Sequence, residues 1–266
     1  MNNTASSRPV DSDSDQASSK RFSDAWFERH IDKALRATPP QSTFTNVFYQ
    51  IVKRTFRPEL IDVENLPDRP CLFVGNHSLF ALDGFIVSAM LYKEHGRWLR
   101  GLGDRFLWND KTEDFMVENG GVCGDPRVCA ALMEHGSDLM VFPGGAHEAT
   151  KTEAQKYTLQ WKQRYGFVRM AIAHGYPIMP MALVGPDEFY SHLLEGEDLP
   201  GSPLGQLLER FGLLDENTRE DMLSPVPRGM LGTLLPRPQR CFIQFGTPVE
   251  TSQYTGKEVT QRQLST

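Results

Sequence analysis

The chain has 266 residues, of which 39% are hydrophobic and 23% charged, so it holds enough apolar material for a globular core. Its formal net charge of −6 argues against nucleic acid as a partner, because proteins that bind nucleic acid present an excess of basic residues. No uninterrupted apolar run approaches the ~20 residues of a membrane-spanning helix, so we expect any membrane contact to be peripheral.

The N-terminal residues and the cysteines bear on the setting of the protein. Asn, Ser, Asp and Thr dominate residues 1–20, which predicts a disordered tail without the apolar core of a secretory signal peptide. The chain contains four cysteines: Cys71, Cys123, Cys129 and Cys241. Their spacing matches neither a metal site nor a redox motif, so we expect a reducing, cytoplasmic environment.

Hydrophobic periodicity predicts two amphipathic helices near the start of the chain, at 22–37 and 44–56, and an alternation of strands and helices after them. Strands are predicted at 71–75, 98–102, 138–142, 178–184 and 241–245. Further helices are predicted at 84–95, 126–135 and 159–174. Pro180 indicates an edge or an irregularity in its strand. The alternation is typical of an α/β domain with a mostly parallel central sheet flanked by helices.

We expect residues 21–266 to form a single domain with its core at 58–190. The stretch 193–238 differs from the core, because it is rich in Gly and Pro and shows no sustained periodicity. It predicts an insertion or lid with short helices, and the strand at 241–245 closes the domain.

A basic stretch lies between Lys151 and Arg169, against the acidic balance of the whole chain. It contains one acid, Glu153, and five basic residues: Lys151, Lys156, Lys162, Arg164 and Arg169. Such a stretch faces either a phosphate or anionic cofactor, or solvent along a helix, and the sequence leaves both interpretations open.

The first strand-to-helix junction, at 74–83, carries Asn76, His77 and Asp83. Open α/β sheets bind substrates at the carboxyl ends of their strands, where this junction falls. A histidine titrates near neutral pH and can take the proton of an alcohol, while a carboxylate on its other ring nitrogen fixes the tautomer. By spacing alone, a capping or core histidine with an unrelated surface aspartate is the commoner arrangement.

The second junction, at 141–148, follows the strand at 138–142 and reads Val-Phe-Pro-Gly-Gly-Ala-His-Glu. Two adjacent glycines allow a tight strand-to-helix turn and close approach of a ligand to backbone N–H groups. Taken by itself, this motif equally describes a structural turn.

Together and in this order, these motifs resemble the phospholipid and glycerol acyltransferase family, which includes the lysophosphatidate acyltransferases. The 76–83 block is similar to the catalytic Asn-His block of that family, and the 142–148 block to its acceptor-binding block. Gly120-Gly121-Val122 followed by Arg127 resembles an intermediate element, and 177–182 the late Pro-hydrophobic-Pro strand. The resemblance runs from about residue 72 to 184.

The resemblance implies a glycerol-3-phosphate acyltransferase-like fold and an O-acyltransferase similar to 1-acylglycerol-3-phosphate acyltransferases. The reaction would move a fatty acyl group from acyl-CoA or acyl carrier protein to a lipid hydroxyl, at a membrane surface and with no cofactor or metal. His77 would act as the base and Asp83 would orient it. Asn76 would shape the turn and donate to the developing oxyanion. The acceptor would be held by Pro143, Gly144, Gly145 and Glu148, with Arg127 or Arg105 on a phosphate.

The spacing of the first motif departs from the commonest family pattern. Five residues, 78–82, separate His77 from Asp83, where four are usual. This gap and the sequence pattern Pro-Gly-Gly-Ala-x-Glu resemble those of the branch related to diacylglycerol acyltransferases and plant phytyl ester synthases. The acceptor of that branch need not be glycerol 3-phosphate or its lyso form.

Three other functions compete with acyl transfer. A thioesterase or esterase would use water as acceptor, but the Gly-x-Ser-x-Gly element of serine hydrolases is absent. A metal hydrolase would gather His77, Asp83, His147 and Glu148, but the sequence has no His-Glu-x-x-His motif. The third alternative is a lipid-binding protein of the same fold without turnover.

Overall fold

The structure is a computed structural model that describes residues 22–161, 164–195, 198, 202 and 225–257. The strands are β1 (Glu59–Ile61), β2 (Leu72–Gly75), β3 (Arg100–Gly103), β4 (Gly121–Cys123), β5 (Leu139–Val141), β6 (Ile178–Val184), β7 (Ser191–Leu194), β8 (Val226–Arg228) and β9 (Phe242–Phe245). The α-helices are α1 (Asp24–Arg36), α2 (Thr43–Thr55), α3 (Leu82–His95), α4 (Glu113–Glu118), α5 (Pro126–Glu134), α6 (Gly145–Ala149) and α7 (Gly166–His174). The predicted tail at 1–20 and most of the predicted insertion lie outside the described residues.

Seven strands form one sheet in the order β1-β9-β6-β2-β5-β3-β4. The five strands from β6 to β4 are mutually parallel, whereas β9 is antiparallel to β6 and parallel to β1. The prediction of an α/β fold with a mostly parallel sheet is therefore confirmed. β7 and β8 pair with each other as a separate antiparallel sheet.

Both faces of the large sheet are covered, which explains why its central strands are continuously apolar. Successive side chains of β2 point to opposite faces. Phe73 packs in the cluster beneath α2 and α3, while Leu72 and Val74 pack in the cluster beneath α1, α5 and α7. Among the described helices, none is both long enough and apolar enough to cross a bilayer.

The predicted helix at 159–174 is wrong in its first half. Helix α7 begins only at Gly166, and the described residues just before it, 159–161, 164 and 165, are not helical. Two tertiary contacts hold this segment outside a helix, because the backbone N–H of Gln160 bonds Glu148 and Arg164 bonds the carbonyl of Gly144. The hydrophobic periodicity from which this helix was predicted carries no information about either contact.

Pro180 does not mark an edge, because β6 lies between β9 and β2. The carbonyl of Pro180 accepts a hydrogen bond from Gly246, just past the end of β9. The N–H and C=O of a strand residue point to the same side. The N–H that proline lacks would therefore face Gly246, which lies beyond the last residue of β9, so no hydrogen bond within the two strands is lost.

Candidate active site

The predicted site residues gather at one edge of the large sheet, where the parallel strands end. His77 follows β2, the 143–148 segment follows β5, Arg105 follows β3 and Arg127 follows β4. Neighbouring strands lie about 4.8 Å apart, so the ends of β3 and β4 lie about 10 Å and about 14 Å along this edge from the end of β2. The parallel order of β2, β5, β3 and β4 thus assembles residues that are distant in sequence.

His77 and Asp83 form a buried pair. The Nδ1 atom of His77 lies 3.0 Å from one carboxylate oxygen of Asp83 and 3.1 Å from the other. That carboxylate also accepts the backbone N–H groups of Ser78, at 2.6 Å, and Gly84, at 2.7 Å. Because the carboxylate accepts, Nδ1 carries the ring proton and Nε2 keeps a free lone pair. The ring can therefore accept a proton at Nε2.

The five-residue spacer closes through two left-handed residues. Phe80 has a φ of 62° and Ala81 a φ of 57°, inside a short turn before α3. For residues with a Cβ, this conformation costs on the order of 1 kcal/mol each, so it persists only where the surroundings enforce it. The turn brings Asp83, at the start of α3, back beneath His77.

Phe142 begins the predicted acceptor-binding block, but the sequence analysis gave it no role of its own. Its ring stacks on the imidazole of His77 with a centroid separation of 4.1 Å and an interplanar angle of 6°. Gly84 makes room for it, because a Cβ at that position would lie 3.1 Å from the ring. The sequence signal for Phe142 is a large aromatic residue directly after β5, the strand that neighbours β2, which the histidine follows.

Glu148 lies inside the protein beside the histidine loop. Burial raises the pKa of its carboxyl group, against the opposing effects of the Gln160 N–H, Lys151 and His77. One oxygen accepts the Gln160 N–H at 3.4 Å, and the other has no hydrogen-bond partner among the described residues. Gly144 must be glycine, since a Cβ there would come within 2.4 Å of the Glu148 side chain.

The other predicted acceptor contacts belong to the same turn. Pro143 and Gly144 are buried, and Gly145 is half-buried with a φ of 55°. His147 is half-buried in α6. The roles assigned to these residues stay predictions.

Asn76 continues the pairing of β2 with β6. Its amide donates to the carbonyl of Leu183 at 2.9 Å and accepts the N–H of the same residue at 2.8 Å. The side chain thus anchors the start of the histidine loop to β6. Its donation to an oxyanion stays a prediction.

Arg105 and Arg127 meet at Asp125, the N-cap residue of α5. Arg105 bonds one carboxylate oxygen at 2.7 Å, and the Nε of Arg127 bonds the other at 3.0 Å. Arg127 also bonds Asp24 at 2.8 Å and lies over the ring of Phe27. Contact of either arginine with a phosphate remains a prediction, and it would compete with these carboxylates.

The basic stretch divides into different environments. Lys151 is buried in an ion pair with Asp187 at 2.9 Å, and Lys156 bonds Glu153 and the carbonyl of Tyr190. Lys151 thus neither lies on a solvated helix face nor is free to meet an anion. Lys162 lies outside the described residues.

A second concave region lies at the opposite edge of the sheet, at the amino ends of the strands. A cavity of about 810 Å³ opens there, lined by residues at the amino ends of the strands, such as Pro70, Trp98 and Asp138. It contains none of the predicted site residues. In the part of the chain that the structure describes, no group of three or more His, Cys, Asp or Glu residues is arranged to hold a metal.

Comparison with known proteins bears on the same region. Residues 57–184 match the family model "Acyltransferase". Phytyl ester synthase 1, chloroplastic, of Arabidopsis thaliana is 31% identical over 203 residues, which cover 70% of this chain and 28% of that protein. The DGAT1/2-independent enzyme synthesizing storage lipids of Gallus gallus is 32% identical over 124 residues, covering 46% of this chain and 37% of that protein. The chain thus spans well under half the length of these two relatives.

Among solved structures, the 1-acyl-sn-glycerophosphate (LPA) acyltransferase PlsC of Thermotoga maritima covers 90% of this chain at 13% identity, and the alignment spans 85% of that protein. The TM-score of this match is 0.45. Between residues 57 and 184, where β2, β5 and both junction motifs lie, this chain belongs to the acyltransferase family.

Proposed function

We propose that the protein is an O-acyltransferase that moves a fatty acyl group from a thioester, acyl-CoA or acyl carrier protein, to the hydroxyl of a lipid alcohol. The observation that carries this proposal is the buried bond between Asp83 and the Nδ1 of His77, which leaves Nε2 able to accept a proton. Membership of the acyltransferase family supports the reaction type.

In this mechanism His77 is the general base. Nε2 takes the hydroxyl proton while the alcohol oxygen attacks the thioester carbonyl, so a C–O bond forms. The C–S bond then breaks, and the leaving thiolate takes the proton back from the imidazolium. Asp83 stabilises the imidazolium and holds the ring with Phe142, and no covalent acyl-enzyme is needed.

We further propose that the acceptor carries no phosphate. Arg105 and Arg127 already pair with Asp125 and Asp24, and the buried carboxyl of Glu148 stands beside His77, where it would repel an anion when ionised. The names of the relatives point the same way, since they refer to phytyl esters and storage lipids. A long-chain alcohol or diacylglycerol fits these features better than lysophosphatidate.

Thiol release from acyl-CoA, followed across a panel of acceptors, tests the proposal. The panel contains a long-chain alcohol, diacylglycerol, monoacylglycerol, lysophosphatidate and glycerol 3-phosphate, each presented in detergent micelles. We expect release that depends on one of the first two acceptors and falls at least ~100-fold in His77→Ala, since general-base catalysis is worth roughly 10² to 10⁴-fold.

His135→Ala provides the matched control, because His135 is exposed and far from the motifs. Its turnover should equal that of the wild type. Release without any acceptor would identify a thioesterase. Undiminished release in a folded His77→Ala variant would refute the assigned base.

A further inference from the structure

The small β7–β8 sheet ends in an exposed apolar surface. We name its five residues the apolar tip: Leu193, Met230, Leu231, Leu234 and Leu235. All five are exposed, with Leu231 at 94% and Leu234 at 72% of their possible accessible surface. Single exposed leucines are ordinary, but four exposed apolar residues within the six positions 230–235 mark a surface that contacts another apolar phase.

The turn that presents the leucines is tightly built. Within it, the N–H of Gly229 bonds the carbonyl of Thr233, and the N–H of Met230 bonds that of Leu235, both at 2.7 Å. A Cβ at Gly229 would lie 1.9 Å from the Leu235 carbonyl oxygen, so only glycine fits. The backbone therefore holds Leu231 and Leu234 outward by its own hydrogen bonds.

The apolar tip projects from the edge of the sheet that carries His77. β6 is parallel to β2, so it ends at that edge, and the chain runs from there into β7. The chain returns from β8 into β9, which is antiparallel to β6 and begins opposite Val184, at the same edge. Both connections of the small sheet thus lie beside the histidine loop.

Direct contacts join the apolar tip to that loop. Phe80, three residues after His77, is exposed and packs edge-to-face on Tyr190 at 5.5 Å. The hydroxyl of Tyr190 in turn donates to the carbonyl of Leu234 at 3.3 Å. Through Tyr190, these contacts connect the turn that carries Leu234 to the histidine loop.

Charge indicates which apolar phase this surface meets. Residues 225–240 contain three arginines, Arg228, Arg237 and Arg240, and no Asp or Glu, in a chain of net charge −6. Arg240 pairs with Glu59, whereas neither Arg228 nor Arg237 pairs with a carboxylate among the described residues. Leucines flanked by arginines that have no carboxylate partner among the described residues are complementary to a bilayer whose headgroups are anionic.

We propose that the apolar tip docks the protein on an anionic lipid surface and so places His77 at the level where a membrane-dissolved alcohol exposes its hydroxyl. The docking proposal is supported by the exposed leucines, the arginines and their position at this edge of the sheet. That docking assists acyl transfer depends on the proposed function.

Co-sedimentation with phosphatidylcholine vesicles, with and without phosphatidylserine, tests the docking on the full chain. The test variant is Leu231→Glu with Leu234→Glu. The matched control is Val249→Glu, since Val249 is also exposed but bridges Ile178 at the amino end of β6, away from the site. We expect the double variant to lose at least ~10-fold in partition coefficient on phosphatidylserine vesicles, and the control to bind like the wild type.

Arg228→Gln supplies a second variant that leaves the leucines in place. We expect it to weaken binding to phosphatidylserine vesicles and to leave binding to pure phosphatidylcholine unchanged. Wild-type protein that fails to sediment with vesicles, or a double variant that binds as well as the wild type, would overturn the proposal. So would a dimer in light scattering that the double variant converts to monomer, since a second copy would then cover the apolar tip.

Activity separates this inference from the proposed function. On a water-soluble short-chain alcohol we expect the double variant to turn over like the wild type, while on acceptor embedded in vesicles it should fall ~10-fold. If vesicle binding depends on the leucines but the protein releases no thiol with any acceptor, the docking proposal stands and the proposed acyltransferase function is refuted.

Discussion

At the residue scale, one carboxylate organises the candidate site. Asp83 bonds the imidazole of His77 and also two backbone N–H groups, those of Ser78 and Gly84. The same oxygens therefore define the ring tautomer and the path of the loop. Chemistry and local stability cannot be separated at this position.

Asp83→Asn tests this double role. An amide can present its NH₂ group to Nδ1, which would favour the tautomer with its proton on Nε2 and remove the base. We expect kcat to fall about 10²- to 10⁴-fold, and the free energy of unfolding to fall by about 1–3 kcal/mol because a buried hydrogen-bond network is perturbed. Steady-state kinetics and urea denaturation measure the two effects. Asp110→Asn, at an exposed position, should change neither quantity. If Asp83→Asn keeps the wild-type kcat, the Asp83 carboxylate has no part in the mechanism.

Gly144→Ala examines the turn beneath Glu148. The added Cβ would lie 2.4 Å from a side chain that is itself fully buried, so either the backbone or Glu148 must move. We expect a loss of about 1–3 kcal/mol in the free energy of unfolding, as for other overpacked sites. Gly166→Ala is the matched control, because nothing lies within 4 Å of its added Cβ at the start of α7. Equal denaturation midpoints for the two variants would contradict the steric argument.

At the scale of elements, helix α1 is fastened to the sheet through a buried histidine. The Nδ1 of His30 bonds Glu113 at 2.8 Å, and its Nε2 accepts the N–H of Cys123 in β4 at 3.0 Å. Its ring also stacks on Trp26. Since Nε2 accepts a backbone N–H, the ring is neutral here, and protonation would break the bond to β4.

This contact predicts a loss of stability in acid. Burial lowers the pKa of His30 below its usual 6.5, against the raising effect of Glu113 and with smaller lowering effects from Lys33 and Arg100. As the pH falls below 6.5 the unfolded chain takes up the proton first, so the free energy of unfolding decreases until the pH reaches the lower pKa of the folded state.

Urea denaturation at pH 7.5 and 5.5 measures this effect. The difference between the two midpoints should shrink in His30→Gln, because glutamine can bond both partners without titrating. The exposed His135→Gln should keep the wild-type difference. An unchanged pH dependence in His30→Gln would show that other groups cause it.

At the scale of the whole molecule, the two edges of the sheet serve different purposes. The carboxyl edge carries the His77–Asp83 pair, the glycine turn and the apolar tip, whereas the amino edge carries a cavity without predicted site residues. The excess negative charge of the chain is absent from residues 225–240. This segment therefore carries a local positive charge on the side where we place the membrane.

The local positive charge of residues 225–240 predicts that salt weakens binding to anionic vesicles. The Debye length falls from about 10 Å at 0.1 M to about 3 Å at 1 M ionic strength, which screens the arginines from anionic headgroups. We expect the partition coefficient on phosphatidylserine vesicles to drop several-fold across this range, and binding to pure phosphatidylcholine to stay constant or rise. Salt-independent binding to phosphatidylserine would mean that the arginines contribute nothing.

Much of the fold was predictable because it depends on local pattern. The helices α1, α2, α3 and α5 and the strands β2, β3, β5, β6 and β9 begin and end within two residues of their predicted bounds. β1 and β4 were missed, because Glu-Leu-Ile and Gly-Val-Cys lack the continuous apolar run that revealed β5, Leu-Met-Val, at the same length. The two junction motifs also identified the family, since they depend on the order of residue types along the chain.

The sequence by itself thus determined the α/β alternation, the motif blocks and the acyltransferase assignment. The tertiary structure alone decided that Asp83 lies against His77, that Phe142 stacks on the imidazole, and that Lys151 is buried. It also decided which strands are neighbours and that the apolar tip adjoins Phe80. Local backbone preferences act over a few residues, whereas these contacts join segments up to more than a hundred residues apart and exist only once the strand order of the sheet is formed.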